Sequence, residues 1–246
     1  MRIKTLLIAA AALAVGIISS EAQVYSQNIV GYANVPCNTS YDFYMLECPF
    51  NVGVSNGANE IFGTNLPDTS LIQTWDTVNQ TYITAVYDGS QGNGIYWYLS
   101  DGGTPGPAPI LLPGNGFFLY AAGTVTNTFA GAVAVSSGGT NVASMNTAYQ
   151  FYLVGSIIPY SGTVSNVVTG TSQGINLNGL PDTSLVQTWD VPSQSYVTAV
   201  YDTSQGNGIF WYQSDGGTPG PCPSVTVGQG FFVYPAGTFT WTQSLP

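Results

Sequence analysis

LPDTSLIQTWD, residues 66–76, returns as LPDTSLVQTWD at residues 180–190. The offset is 114 residues, and the two stretches stay in step without a gap from Leu66/Leu180 to Thr124/Thr238, with 42 of 59 paired positions identical. Solenoid units run to about 20–50 residues, so a repeat of this length is a whole folding unit used twice. Within it, Leu66-Pro67-Asp68-Thr69 reads as a loop that turns into a strand, Ser70 to Trp75, with Asp68 as the turn's internal acceptor.

The periodicity around this stretch is that of strands. Ser70 to Trp75, Thr81 to Tyr87, Gly94 to Leu99 and Gly116 to Tyr120 are short runs rich in β-branched and aromatic residues, each bounded by Gly, Pro, Asn or Asp. Further strands are expected at Ile29 to Val35, Tyr41 to Glu47 and Thr124 to Val135, and one helical turn around Ala58 to Phe62. In the third run Ile95 and Trp97 share one face and Tyr96 and Tyr98 the other, which points Trp97 into a core. Asp88 to Gly94 supplies residues that tolerate positive φ and so reads as a wide hairpin turn. The prolines of Ser100 to Pro109 block a ladder and make that loop a rigid excursion.

The parts before the long match also align, at an offset of 108: residues 38–44 (NTSYDFY) against 146–152 (NTAYQFY). The second copy therefore carries six extra residues before Leu180, expected in a surface loop. The expected class is all-β: two tandem homologous antiparallel β-sandwich or small-barrel domains, 23–135 and 136–246, joined near Ser136-Ser137-Gly138-Gly139-Thr140.

Residues 1–22 read as a secretion signal. Arg2 and Lys4 precede an apolar run from Thr5 to Ile18, and Ser20-Glu21-Ala22 places small residues at the −3 and −1 positions of a cleavage point after Ala22. That run is short of the ~20 residues of a membrane-spanning helix, so no membrane insertion is expected once the signal is removed. The expected location is outside the cytoplasm: extracellular, cell surface or periplasm.

Arg2 and Lys4 are the only basic residues and there is no His, so the secreted form has no basic side chain beside its 11 remaining acids. Nucleic-acid binding is excluded on that ground, because it needs Lys and Arg against phosphates. Ser-His-Asp and Cys-His sites, Ser-Lys pairs, Schiff bases and arginine clamps are excluded as well. With charged residues at only 6%, solubility rests on neutral polar side chains, which offer little repulsion at exposed sheet edges.

A few chemistries pass this filter. Carboxylate pairs would serve a glycosidase; the candidates are Asp68, Asp76, Asp88 and Asp101 with their copies Asp182, Asp190, Asp202 and Asp215. Their loop positions favour a turn-stabilising role, and the unpaired acids Asp42, Glu47 and Glu60 form no recognisable constellation. No cofactor is expected, with Ca²⁺ the one ion considered: Asp88, Ser90 and Asn93, repeated as Asp202, Ser204 and Asn207, alternate oxygen ligands in a loop, although Ca²⁺ wants about six to eight oxygens. Sugars stack on aromatic faces, which makes Trp75, Trp97, Trp189, Trp211 and Trp241 candidate polysaccharide-binding residues. Trp241, matched to Asn127, is the one expected at the surface. Cys37 and Cys48 bracket a strand and suggest a local disulfide; Cys222 aligns with Ala108 and reads as a buried free thiol in preference to an intermolecular link.

A signal peptide, then Tyr25-Ser26-Gln27-Asn28-Ile29-Val30-Gly31-Tyr32, then units in which Gly precedes an aromatic pair (Gly116-Phe117-Phe118, Gly230-Phe231-Phe232), resembles a group of uncharacterised secreted bacterial β-rich tandem-repeat proteins. The resemblance spans most of the secreted chain and implies an envelope or extracellular location and no known reaction. The expected role is that of a non-enzymatic structural or adhesive protein, self-associating through edge strands such as Val24 to Val35. The alternatives are a carbohydrate-binding protein and, more remotely, a carboxylate-based glycoside hydrolase. What the copies do not share, namely the Cys37–Cys48 segment, the six-residue insertion and Trp241, is where a particular function is first sought.

Overall fold

The computed structural model describes residues 29–92, 94, 96–136, 139–165, 173–208 and 210–245. The expected cleavage site, Val24 to Asn28, Asn93, Ile95 and its copy Ile209 lie outside the described residues. In chain order the first copy supplies β1 (Val30–Cys37), β2 (Asp42–Glu47), β3 (Phe50–Asn51), the single turn α1 (Ala58–Phe62), β4 (Ser70–Asp76), β5 (Thr81–Tyr87), β6 (Trp97–Leu99), β7 (Gly116–Ala121) and β8 (Val125–Val133). The second supplies β9 (Thr140–Met145), β10 (Tyr152–Val154), β11 (Gly162–Thr163), β12 (Ser184–Asp190), β13 (Ser195–Tyr201), β14 (Trp211–Gln213), β15 (Ser224–Val225), β16 (Phe231–Tyr234) and β17 (Phe239–Ser244). The fold is all-β and antiparallel in every named pairing.

Each copy builds a five-stranded sheet of the same order, β2-β7-β4-β5-β6 and β10-β16-β12-β13-β14. Side chains alternate across a strand, and the register puts Ile72, Ala85, Phe117 and Leu119 on one face and Gln73, Trp75, Tyr82 and Phe118 on the other. Both faces are rich in apolar side chains, so both must be covered. Over the first face lies the sheet β1-β8-β3 with α1; Phe62 meets Phe117 and Phe129 edge-on at centroid distances of 6.2 and 6.1 Å. In the second copy the equivalent cover is the pair β9-β17, with Phe239 and Trp241 buried in the core. The second face of each sheet packs on the other copy.

Two expectations change, the exposure of Trp241 and the Cys37–Cys48 disulfide. Trp97 is buried as expected, but so is Tyr98 on the opposite face, because the loop from Ser100 folds back over it: Leu99 N–H donates to Thr104 O (2.8 Å) and Gly106 N–H to Trp97 O (3.0 Å). In the longer segment of the second copy Val164, Ile175 and Leu177 are fully buried core residues; residues 166–172, between them, lie outside the described residues. Trp241 is 1% exposed, not a surface residue. Its indole N–H donates to the Ile175 carbonyl, in the segment that is longer in the second copy (2.5 Å).

The disulfide is the second. Cys37 and Cys48 are free and fully buried in the first-copy core. Each sulfur has another partner: Asn127 Nδ2 donates to Cys37 Sγ (3.4 Å), and Cys48 Sγ donates to Phe50 O (3.5 Å). Cys222 pairs with no other cysteine of the chain and is half-buried, not buried.

Candidate functional site

All the repeated aspartates but Asp68 and Asp182 serve their own loops. Asp88 Oδ1 accepts from Ser90 N (2.9 Å) and Oγ (2.6 Å) and its Oδ2 from Gln91 Nε2 (3.1 Å); Asp202 repeats this with Ser204 and Gln205. Hydrogen bonds from Ser90 and Gln91, and from Ser204, hold the Asp88 and Asp202 carboxyls below the usual range. Asn207 Oδ1 accepts from Tyr212 Oη (2.9 Å). The oxygens that looked like calcium ligands therefore close an Asx turn, and among the described residues no group of three acids, cysteines or histidines converges. Asp101 and Asp215 cap the turns at Gly103-Thr104 and Gly217-Thr218, and Asp76 and Asp190 the hairpins that follow them.

Asp68 does something the repeat did not reveal. Instead of closing its own turn it accepts from Gly89 N in the next loop (2.6 Å), as Asp182 does from Thr203 N (2.7 Å). The turn beside it is closed by Ser70, whose Oγ donates to Pro67 O (2.6 Å) and accepts from Ala122 N (3.1 Å). Thr69 and Thr183, both at φ 68°, are held in the left-handed region between these bonds.

Every indole N–H is taken up inside the protein. Trp97 Nε1 donates to Asn59 Oδ1 (2.6 Å) and Trp211 Nε1 to Ser165 Oγ (2.9 Å). Trp75 and Trp189 reach across to the other copy: Trp75 Nε1 donates to Phe151 O and Trp189 Nε1 to Phe43 O, each at 2.8 Å. Trp97, Trp211 and Trp241 are buried and Trp75 and Trp189 half-buried, so the five do not form an exposed stacking platform.

What the tryptophans do form is a reciprocal joint. Phe151 N donates to Gln80 Oε1 and Phe43 N to Gln194 Oε1, both at 2.8 Å. Trp75 meets Phe232 edge-on at 5.2 Å, and Trp189 meets Phe118 at the same distance. Tyr82 and Tyr196 touch through their hydroxyls (2.7 Å). The backbones interlock as well: Leu46 bridges Gln229 and Val154 bridges Asn115, while Glu47 N donates to Gly228 O (2.9 Å) and Gly155 N to Gly114 O (3.0 Å). Each member of these pairs is the repeat counterpart of the other, so the two copies are related by a pseudo-two-fold axis. The glycine before each aromatic pair gains a reason here. A Cβ on Gly116 would lie 2.9 Å from Val154 O, and one on Gly230 2.6 Å from Leu46 O, too close for any side chain.

Sheet edges are where this chain differs in treatment from place to place. The outer edges of β6 and β14 are covered by the proline loops, through the bridges Tyr98–Pro105 and Tyr212–Pro219. Those of β2 and β10 meet the other copy. β1 and β9, the first strands of the two copies, each pair on one side only among the described residues. β1 alternates exposed and half-buried side chains, with Val30 73% and Tyr32 75% exposed. It borders a cleft of about 600 Å³ whose far wall is Pro159, Ser161, Thr226 and Val227 and whose lining carries no charge. Natural edges are blunted by Lys, Pro or bulges; here only Pro36 does so. The edge strand is legible in the sequence but the cleft is not, because its far wall belongs to the second copy.

Compared with known protein families, curated proteins and solved structures, the chain finds no match in any of the three. No helix among the described residues is long and apolar enough to cross a membrane.

Proposed function

We propose that this chain is a secreted, non-enzymatic structural or adhesive protein of the bacterial envelope or extracellular matrix, built as two tandem β-sandwich domains and assembling by strand addition at β1 and β9. The observation that carries this reading is the uneven protection of the edges: the outer edges of the two five-stranded sheets are covered, whereas β1 and β9 each pair on one side only among the described residues and carry no charge. An open edge offers a row of backbone donors and acceptors to an incoming strand. A contact of β1 in one molecule with β9 in the next is heterologous, so it continues instead of closing. The absence of basic residues from the secreted chain supports a non-catalytic role, since it removes most nucleophile and acid–base pairings.

Light scattering and electron microscopy of residues 23–246 over a range of concentrations test it. Concentration-dependent oligomers or fibres are expected, and Tyr32→Lys, which places a charge on the open edge at an exposed position, should reduce them. A strictly monomeric protein at high concentration would count against the reading.

A further inference from the structure

A joint built on a pseudo-two-fold axis is self-complementary, so either copy fits against another molecule's identical copy as well as against its own partner. At Glu47 this equivalence is broken. Glu47 is fully buried, and neither carboxyl oxygen has a hydrogen-bond partner. Its counterpart 108 residues on is Gly155. A Cβ built on Gly155 would fall inside the Glu47 carboxyl. Gly155 does not lie in the left-handed region, so the backbone itself makes no demand for glycine. The demand comes from Glu47.

We propose that Glu47 and Gly155 form a one-sided key that admits a first copy against a second copy and rejects a first copy against another first copy. Pairing two first copies would bring two Glu47 carboxyls into the space that here holds one. Pairing two second copies would set glycine against glycine and leave a void of carboxyl size, also unfavourable. Like pairings link molecules end to end, whereas the unlike pairing closes within one chain. The recognised partner is thus the chain's own other copy, and the key works by exclusion.

The test uses residues 23–246 in the Tyr32→Lys background, so that edge association does not contribute. Gly155→Glu puts two carboxyls in one space and is expected to lower Tm by about 10 °C or more. Glu47→Gly combined with Gly155→Glu moves the single carboxyl to the other side of the axis, and most of that loss should return. Glu47→Gly alone, unfolded and refolded at high concentration, should give linked dimers and larger species by size-exclusion chromatography with light scattering. Glu47→Gln, which keeps the bulk, should return as monomer under the same conditions. A double variant no more stable than Gly155→Glu, or a Glu47→Gly protein that refolds only to monomer, would overturn the proposal.

Discussion

The Tyr82 hydroxyl lies 2.7 Å from the hydroxyl of Tyr196, its own counterpart 114 residues later in the chain. A residue meets its own counterpart only near a two-fold axis, so this one contact locates the axis that relates the copies. Burial pushes both phenols up, Tyr82 strongly.

The paired indoles give the first prediction. Trp75→Phe and Trp189→Phe each remove one N–H···O=C bond across the joint and part of an edge-on ring contact. Each should lower stability by about 1–3 kcal/mol, and the two losses should agree to within about 0.5 kcal/mol, as measured by urea unfolding. Clearly unequal losses would argue against an interface of equivalent halves.

Glu47 sets a pH dependence of unusual sign. Burial raises its carboxyl well above the usual range, and the Gly114 backbone beside it offsets only part of that. The folded state therefore holds a proton that the unfolded state releases above its ordinary value of 4.5. The stability linked to this group is full below that value and declines as pH rises toward the folded pKa, with a limiting slope of about 1.4 kcal/mol per pH unit. At the acid end Asp76, Asp88, Asp101, Asp202, Asp215 and Glu60, all held below their ordinary values by hydrogen bonds, act in the opposite sense, losing their contribution as pH falls through their folded values. Chemical denaturation from pH 4.5 to 8 should show declining stability, and Glu47→Gln should flatten the decline.

The thiols separate by burial. Burial raises Cys37 and Cys48 to about 12, and both side chains are inaccessible. Under native conditions an alkylating reagent should modify Cys222 alone, with the other two reacting only on unfolding. Mass spectrometry of residues 23–246 would read this directly, and a Cys37–Cys48 bridge would contradict it.

Two glycines at the crossing of the copies should tolerate no side chain. Gly116→Ala and Gly230→Ala each press a methyl against a carbonyl of the opposite copy and should lower stability by about 1–3 kcal/mol. Gly103→Ala, where nothing lies within 4 Å and φ is ordinary, should be neutral or stabilising by up to about 1 kcal/mol. Thermal melts of the three variants make the comparison.

The strands of each copy are legible in the sequence because aromatic and β-branched residues alternate between Gly and Pro boundaries, and α1 falls where the Ala58–Phe62 turn is expected. Burial on both faces is not legible at Trp97 and Tyr98, because it comes from a loop that folds back across the edge. Trp241 misleads for a related reason: its cover, Ile175, lies in the segment that is longer in the second copy. Ser70 closes the turn expected of Asp68, since propensity names turn residues without saying which turn they serve. Glu47 belongs to no motif. The signal lies in the alignment itself, where a carboxylate faces a glycine at position 155 in an otherwise similar run.

Small-angle scattering of residues 23–246, extrapolated to zero concentration, tests most directly whether the copies close on each other within one chain. A chain of this length in one compact body should give a radius of gyration of about 17 Å. Copies held apart on a linker would give about 22 Å or more, and that result would contradict the pseudo-symmetric joint.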